Sequence, residues 1–434
     1  MKNNKINNIS NLIKIAVFGL TMAVMTVTGL AWFKRPDVSQ IEKRKLTEFP
    51  KMSLSALADG SWFSGVETWY ADTFPARERL VNANNSFKSL YGKTGEKIVG
   101  AGKDADEIPD NAGEEATLPV TTEPQTVRDG IVSDEGGETM SGVYVSGDTG
   151  YSMYYFVKEN ADWYAAVLNE AQKKFDGKAT VYDLIIPLNS GVVLSDSLQK
   201  ELGISDQREA ISYIYGRMNP AVRKVPTFEI LRNHCDEYIF FRTDHHWTAL
   251  GAYYVYTSFC SMKGIAPHML SQFGTKTFEG FVGTHYSETN SAKLKANPDT
   301  ITAYVPMGTD KMTITDANGE TNENWPIIMD VDNYPANSKY SCFVNGDAKL
   351  CVVENPQITD GSACICIKDS FGCAFVPFLV DHYQYTYWVD YRYFHQSLSA
   401  FVEEHNITDI IFLQNIYNTA YKKAIQQIQD LVES

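Results

Sequence analysis

The segment Thr243-Asp244-His245-His246-Trp247-Thr248 offers a carboxylate and two imidazoles, and Ile367-Lys368-Asp369-Ser370-Phe371-Gly372, about 125 residues downstream, offers a hydroxyl. A hydroxyl nucleophile, an imidazole base and a carboxylate that orients the base are the parts of an acyl-transfer triad. In an extended or irregular segment, residues two apart face the same side, so Asp244 and His246 can converge on one point. Asp244 would fix the imidazole tautomer while His246 takes the Ser370 proton. His245 is then expected to face away and Trp247 to pack beneath the turn. A plainer reading makes Asp369 or Ser370 a helix N-cap and Asp244 a cap for the helix starting near Trp247, but it leaves two adjacent histidines unexplained. Asp-His-His also suits a metal; no further ligand at a definite spacing stands out among His234, His285 or His382, so neither metal nor cofactor is assigned.

For Ser370 to act, it must sit where a strand hands over to a helix. Apolar runs of strand length occur at Val181–Pro187, Tyr238–Phe241, Ala363–Ile367, Tyr385–Val389 and Ile410–Leu413. Helical patterns lie at Ala161–Phe175, Asp206–Met218, Ala249–Lys263, Cys373–Val380, Leu398–His405 and Ala420–Val432. This alternation predicts an α/β domain over 142–434 with a mainly parallel sheet covered on both faces. In such sheets the carboxyl ends of the strands form the ligand crevice, and N–H groups at the following helix start can hold an oxyanion. Between about 265 and 355 the rhythm breaks, which predicts an insertion beside the site.

Upstream, Ile15 to Phe33 is an uncharged run of 19 residues, just long enough to span a hydrocarbon core, after a tail of residues 1–14 carrying Lys2, Lys5 and Lys14. Lys34, Arg35, Lys43, Arg44 and Lys45 follow it, so basic residues alone do not orient it. We read 15–33 as a transmembrane signal anchor with the body extracytoplasmic, ahead of a signal cleaved near Gly29-Leu30-Ala31 and of a cytoplasmic body. Aromatic spacing predicts two short helices in a juxtamembrane segment, 36–100. The next stretch, 101–141, reads as an acidic flexible linker or loop. Between Asp104 and Thr139 there are eleven acidic residues and only Arg128 as a base, a net −10 out of the chain's −15. The acidity therefore argues against nucleic acid as a partner without making the catalytic surface acidic. The seven cysteines show no zinc spacing, and their odd number forbids complete internal pairing.

Asp244-His245-His246-Trp247 resembles the signature of the bacterial DHHW proteins, relatives of AlgX/AlgJ-type polysaccharide O-acetyltransferases. The resemblance extends to Glu42-x-Arg44-x-Leu46-x-x-x-Pro50, Trp69-Tyr70-x-Asp72-x-Phe74-Pro75-x-Arg77, Lys368-Asp369-Ser370-Phe371 and Asp390-Tyr391-Arg392-Tyr393. It implies an SGNH hydrolase-like three-layer α/β/α domain with Ser370 as nucleophile, His246 as base and Asp244 as orienting acid. The Ser370 N–H is the expected oxyanion donor, with Asn189 a candidate second donor from its place after a strand. Arg392 is a candidate for a substrate hydroxyl or carboxylate, with a structural ion pair as the alternative. The implied function is acyl transfer to a cell-surface or secreted polysaccharide, the acyl group being supplied by a membrane-bound O-acyltransferase. A carbohydrate esterase of the same fold and a catalytically silent glycan-binding protein are the alternatives.

Overall fold

The computed structural model describes residues 38–39, 44–45, 47–53, 61–73, 105–109, 128–133, 136–316 and 319–434, and the chain divides into two compact units, Met1–Lys93 and Thr94–Ser434. The expected anchor, 15–33, lies outside the described residues, among which no helix is long and apolar enough to cross a membrane. In the first unit one helix is described, Ser61–Asp72. Phe49 packs edge-on against Trp62 and Trp69, and the Trp62 indole donates to the Pro50 carbonyl, so these aromatic residues form a local cluster.

The second unit is built on an eight-stranded sheet. Its strands in chain order are β1 (Thr180–Ile186), β2 (Arg223–Lys224), β3 (Lys311–Thr315), β4 (Thr321–Pro326), β5 (Leu350–Glu354), β6 (Ala363–Lys368), β7 (Tyr385–Asp390) and β8 (Asp409–Asn415). The spatial order is β4-β3-β5-β7-β6-β8-β1-β2. From β7 to β2 all pairings are parallel, while β5, β3 and β4 add antiparallel to the edge. The sheet is therefore mixed, and the region expected as an insertion supplies its antiparallel strands. Every residue of β6 is buried, and nearly every one of β1 and β8, so both faces of the central strands are covered. That explains their continuous apolar runs.

The helices Lys158–Phe175, Gln207–Tyr215, Ala249–Lys263, Leu398–Glu404 and Lys422–Glu433 fall where the periodicity predicts them. Two expectations change. Tyr238–Phe241 forms no strand, only a bridge between Phe240 and Trp247, because it turns back on the Asp244 loop. The expected helix Cys373–Val380 divides into a short α-helix, Gly372–Phe375, and a 3-10 segment, Val376–His382. Pro377 accounts for the break, since it has no N–H for the helical ladder.

The linker expectation for 101–141 is also too broad. Asp106 accepts from the Lys158 N–H, Asp129 pairs with buried Arg232, and Glu138–Met140 begins a three-stranded sheet with Val143–Ser146 and Thr149–Ser152. Composition misled here because the described parts of the segment are held by backbone and charge contacts and by single apolar residues, Ile108 and Val132, rather than by a periodic apolar face.

Candidate active site

Parallel strands align their carboxyl ends, and four sequence-distant segments meet there: Asp369–Ser370 after β6, Asp390–Arg392 after β7, Asn415–Asn418 after β8 and Leu188–Asn189 after β1. The Asp244 loop precedes helix Ala249–Lys263, with Thr248 as N-cap accepting from the Gly251 N–H.

His246 Nδ1 lies 2.5 Å from Asp244 Oδ1, and His246 Nε2 lies 2.8 Å from Ser370 Oγ. Because Asp244 is ionised, Nδ1 carries the proton and Nε2 accepts from the serine hydroxyl. Burial by itself would raise the Asp244 pKa, but the neighbouring His246 and His245 imidazoles, with hydrogen bonds from His246 and the Thr284 N–H, outweigh it, holding the carboxyl well below its ordinary range. Its other oxygen accepts from the Thr284 N–H at 2.8 Å and the Thr284 hydroxyl at 3.1 Å. Ser370 remains partly exposed, as a nucleophile must be.

The surroundings fix this line. The Tyr340 ring stacks on His246 at 4.0 Å between centroids, and its hydroxyl donates to the Ser370 carbonyl. Buried Asp299 accepts from Thr243 N and Oγ1 and from the Arg242 N–H, clamping the loop that carries Asp244. Asp369 Oδ1 accepts from the Phe371 N–H, while Oδ2 accepts from the Asn415 N–H and from the Asn415 and Asn418 amides. Gly283 approaches so closely that a Cβ there would lie 2.2 Å from Asp244 Oδ2. Thr284, Asp299 and Tyr340 all come from the region expected as an insertion; no local pattern marks them, since the hydrogen-bond partners just named lie 30 to 57 residues away.

Trp247 is buried as expected, donating to the Phe371 carbonyl. His245 does not face away: its ring lies 3.9 Å from that of His246 and its Nδ1 bonds the Thr284 hydroxyl, because the loop bends instead of extending. The N–H groups of Phe371, Gly372 and Cys373 already have partners within the turn. Among the described residues the Ser370 N–H has none, so it is the main-chain donor available at the turn. Asn189 is buried with its amide donating to the Gly150 carbonyl and accepting from the Ser152 N–H. Arg392 grips Asp390 with two nitrogens and Asp347 at 2.7 Å, the structural ion-pair alternative. All seven cysteines are free and buried; the Cys373 thiol, three residues from Ser370, is pushed up to about 12 by burial and is no rival nucleophile.

Asp244, His245 and His246 could bring three ligand atoms within 4.8 Å of one another. Those atoms are engaged with each other, with Thr284 and with Ser370, so the donor set fits a proton relay better than a metal.

A hydrogen-bonded Asp–His–Ser line stands at the carboxyl edge of a mixed α/β sheet, the arrangement that acyl transfer through a hydroxyl nucleophile requires. The sequence matches the family described as DHHW protein over residues 42–122 and 116–389, and the chain belongs to that family. A DHHW family protein from Eubacterium siraeum is 30% identical with a TM-score of 0.62, covering 68% of this chain and 97% of that one. PatB1 from Bacillus cereus shares the fold at 18% identity and a TM-score of 0.55, covering 64% of this chain and 96% of that one. PatB1 with a sulfonyl adduct aligns at 16% identity and 0.52, covering 65% and 97%. The O-acetyltransferase domain of Pseudomonas putida AlgJ aligns at 12% identity and 0.38 over 70% and 99%, too weakly to carry an argument. No curated protein sequence matches the chain.

Proposed function

We propose that this protein is an O-acyltransferase that carries an acetyl or similarly short acyl group as a Ser370 ester and delivers it to a hydroxyl of a cell-surface or secreted polysaccharide. The observation that supports acyl transfer most directly is the hydrogen-bonded line from Asp244 through His246 to Ser370 Oγ, 2.5 Å and 2.8 Å long. Ser370 Oγ bonds to the donor's acyl carbon as His246 Nε2 takes its proton, and the Ser370 N–H faces the oxyanion. Collapse expels the donor's leaving group, which takes the proton from His246. An acceptor hydroxyl then attacks the ester, losing its proton to His246, which returns it to Ser370 Oγ. Glycan as acceptor rests on the resemblance to AlgX/AlgJ-type enzymes carried by the motifs above. The same reading takes residues 15–33 as a single-pass membrane anchor, the body as extracytoplasmic and a membrane-bound O-acyltransferase as acyl supplier.

Transferase and esterase share the acyl-enzyme and differ in whether a sugar or water resolves it. With an aryl acetate as donor, a soluble oligosaccharide should become acetylated while free acetate falls at constant turnover. Unchanged acetate release with no acetylated sugar, together with deacetylation of pre-acetylated glycan, would replace transfer by hydrolysis. An aryl sulfonyl fluoride should sulfonylate Ser370, read by peptide mass; labelling elsewhere, with turnover retained in Ser370→Ala, would remove the covalent mechanism.

A further inference from the structure

The triad uses His246 and leaves its neighbour His245 without a task. Three rings pack against the His246 imidazole: His245 at 3.9 Å and 34°, Tyr340 at 4.0 Å and 12°, and Phe371 at 5.0 Å and 49°. The two nearest are each tied by a polar atom to a different member of the triad. The Tyr340 hydroxyl donates to the Ser370 carbonyl at 3.1 Å. His245 Nδ1 lies 2.5 Å from Thr284 Oγ1, which in turn lies 3.1 Å from Asp244 Oδ2. An ionised carboxylate only accepts, so the Thr284 hydroxyl gives its proton to Asp244 and takes one from His245 Nδ1. One ring is thereby anchored on the nucleophile's residue and the other on the acid's.

These anchors matter because a histidine ring is only loosely held about its last torsion. The single bond from Nδ1 to Asp244 leaves Nε2, at the far side of the ring, to swing, whereas proton transfer needs it held at 2.8 Å from Ser370 Oγ. Turning the imidazole out of its plane would drive its edge into the nearly parallel Tyr340 ring. Tyr340 itself is fixed. It is buried, lies on the 3-10 segment Ala336–Cys342, and meets Phe343 edge-on at 5.2 Å and Phe241 at 6.2 Å. Its face also attracts the imidazolium that forms as the proton moves, a gain absent while His246 is neutral.

We propose that Tyr340 and His245 are positioning residues for acyl transfer: together they hold the His246 imidazole in the plane from which Nε2 reaches Ser370 Oγ. The proposal rests on the acyl-enzyme reading above, so aryl acetate turnover by the unmodified full-length protein is measured first. No turnover there defeats both; turnover leaves the variants to decide this one. Tyr340→Leu and His245→Ala should each lower kcat about 10²-fold with KM held within about threefold, as expected when the base is misplaced and substrate binding is not. Tyr340→Phe keeps the ring and loses one neutral hydrogen bond, so its kcat should stay within about tenfold of the unmodified protein. The far-downfield proton NMR signal of the His246 Nδ1–H shared with Asp244 should broaden or vanish in folded Tyr340→Leu and persist in Tyr340→Phe. His245 is partly exposed and tolerates truncation, so His245→Ala carries the test if Tyr340→Leu does not fold. An unchanged kcat in either truncation, a loss confined to KM, or equal losses in Tyr340→Phe and Tyr340→Leu overturns the proposal.

Discussion

Asp244 does two jobs through one carboxylate. One oxygen fixes the His246 tautomer; the other ties the loop to Thr284. Asp244→Asn keeps the size and much of the hydrogen bonding but favours the wrong imidazole tautomer, so kcat should fall about 10³–10⁴-fold in a protein that still folds, with a lowered thermal midpoint. A larger loss of stability than of turnover would make the residue structural. Ser370→Ala and His246→Ala should each abolish most aryl acetate turnover, and the double variant should add little, because members of one unit are not additive. Additive losses would separate them. Since the folded pKa of Asp244 is depressed, the stability it contributes is present above its unfolded value near 4 and is lost only as pH falls through the lower folded value. Gly283→Ala should displace Asp244, given the 2.2 Å approach, and lower kcat without touching the serine.

At the scale of the strand, β1 carries a buried carboxyl that the chemistry does not use. Asp183 accepts from the Tyr164 hydroxyl at 2.6 Å, and its second oxygen is unpaired among the described residues. Burial raises its pKa to about 7, against the smaller opposing effect of Tyr164. The native state therefore holds a proton that the unfolded chain releases from about pH 4 upward, so stability should fall as pH rises from about 4 to 7 and then level off. Asp183→Asn should flatten that decline, read from chemical denaturation at several pH values; an unchanged slope would place the titration elsewhere. At the end of β7, Asp390 is fully buried and depends on Arg392. Arg392→Ala should cost about 3–5 kcal/mol by leaving that carboxylate uncompensated. Lysine should not restore it, since it lacks the fork that grips both oxygens.

For the whole molecule, the acidic segment at the start of the second compact unit acts as a strap at its described ends. Buried Arg232 donates to the carbonyls of Arg128, Gly191, Val192 and Leu194 and pairs with Asp129 and Asp196. Val132 bridges Leu194 alongside. Arg232→Ala should destabilise by several kcal/mol, because the Arg128 and Val192 carbonyls lose their side-chain donor while those of Gly191 and Leu194 keep only Gln199 Nε2. Deleting 104–139 removes Asp129 and all but Met140 of the strand Glu138–Met140, so the melting transition should move down markedly. An unshifted transition would restore the linker reading for the whole stretch. A chain starting at Arg35 should leave the membrane fraction while the full chain stays in it; persistence there after a high-salt wash would require another anchor.

The triad was legible in the sequence because its chemistry is tied to rare residue types: two adjacent histidines beside an aspartate, and a serine ending a buried strand. The parallel strands and their helices were legible for a related reason, since burial on both faces leaves an uninterrupted apolar run and one-sided burial leaves a helical period. What holds the triad was not legible. Thr284, Asp299 and Tyr340 are ordinary residues in an irregular region, and they acquire meaning only when the chain folds back to place them against Asp244, Thr243 and His246. The direction of β3, β4 and β5 likewise follows from pairing across long loops, which no local pattern encodes. The same limit governs Asn189 and Arg392. Their types and positions suited them to substrate, but hydrogen bonding to Gly150 and Ser152 and ion pairing with Asp390 and Asp347 are facts of tertiary contact. Sequence determined which groups can do chemistry; the fold decided which of them are left free to do it, because a buried polar group must first find a partner.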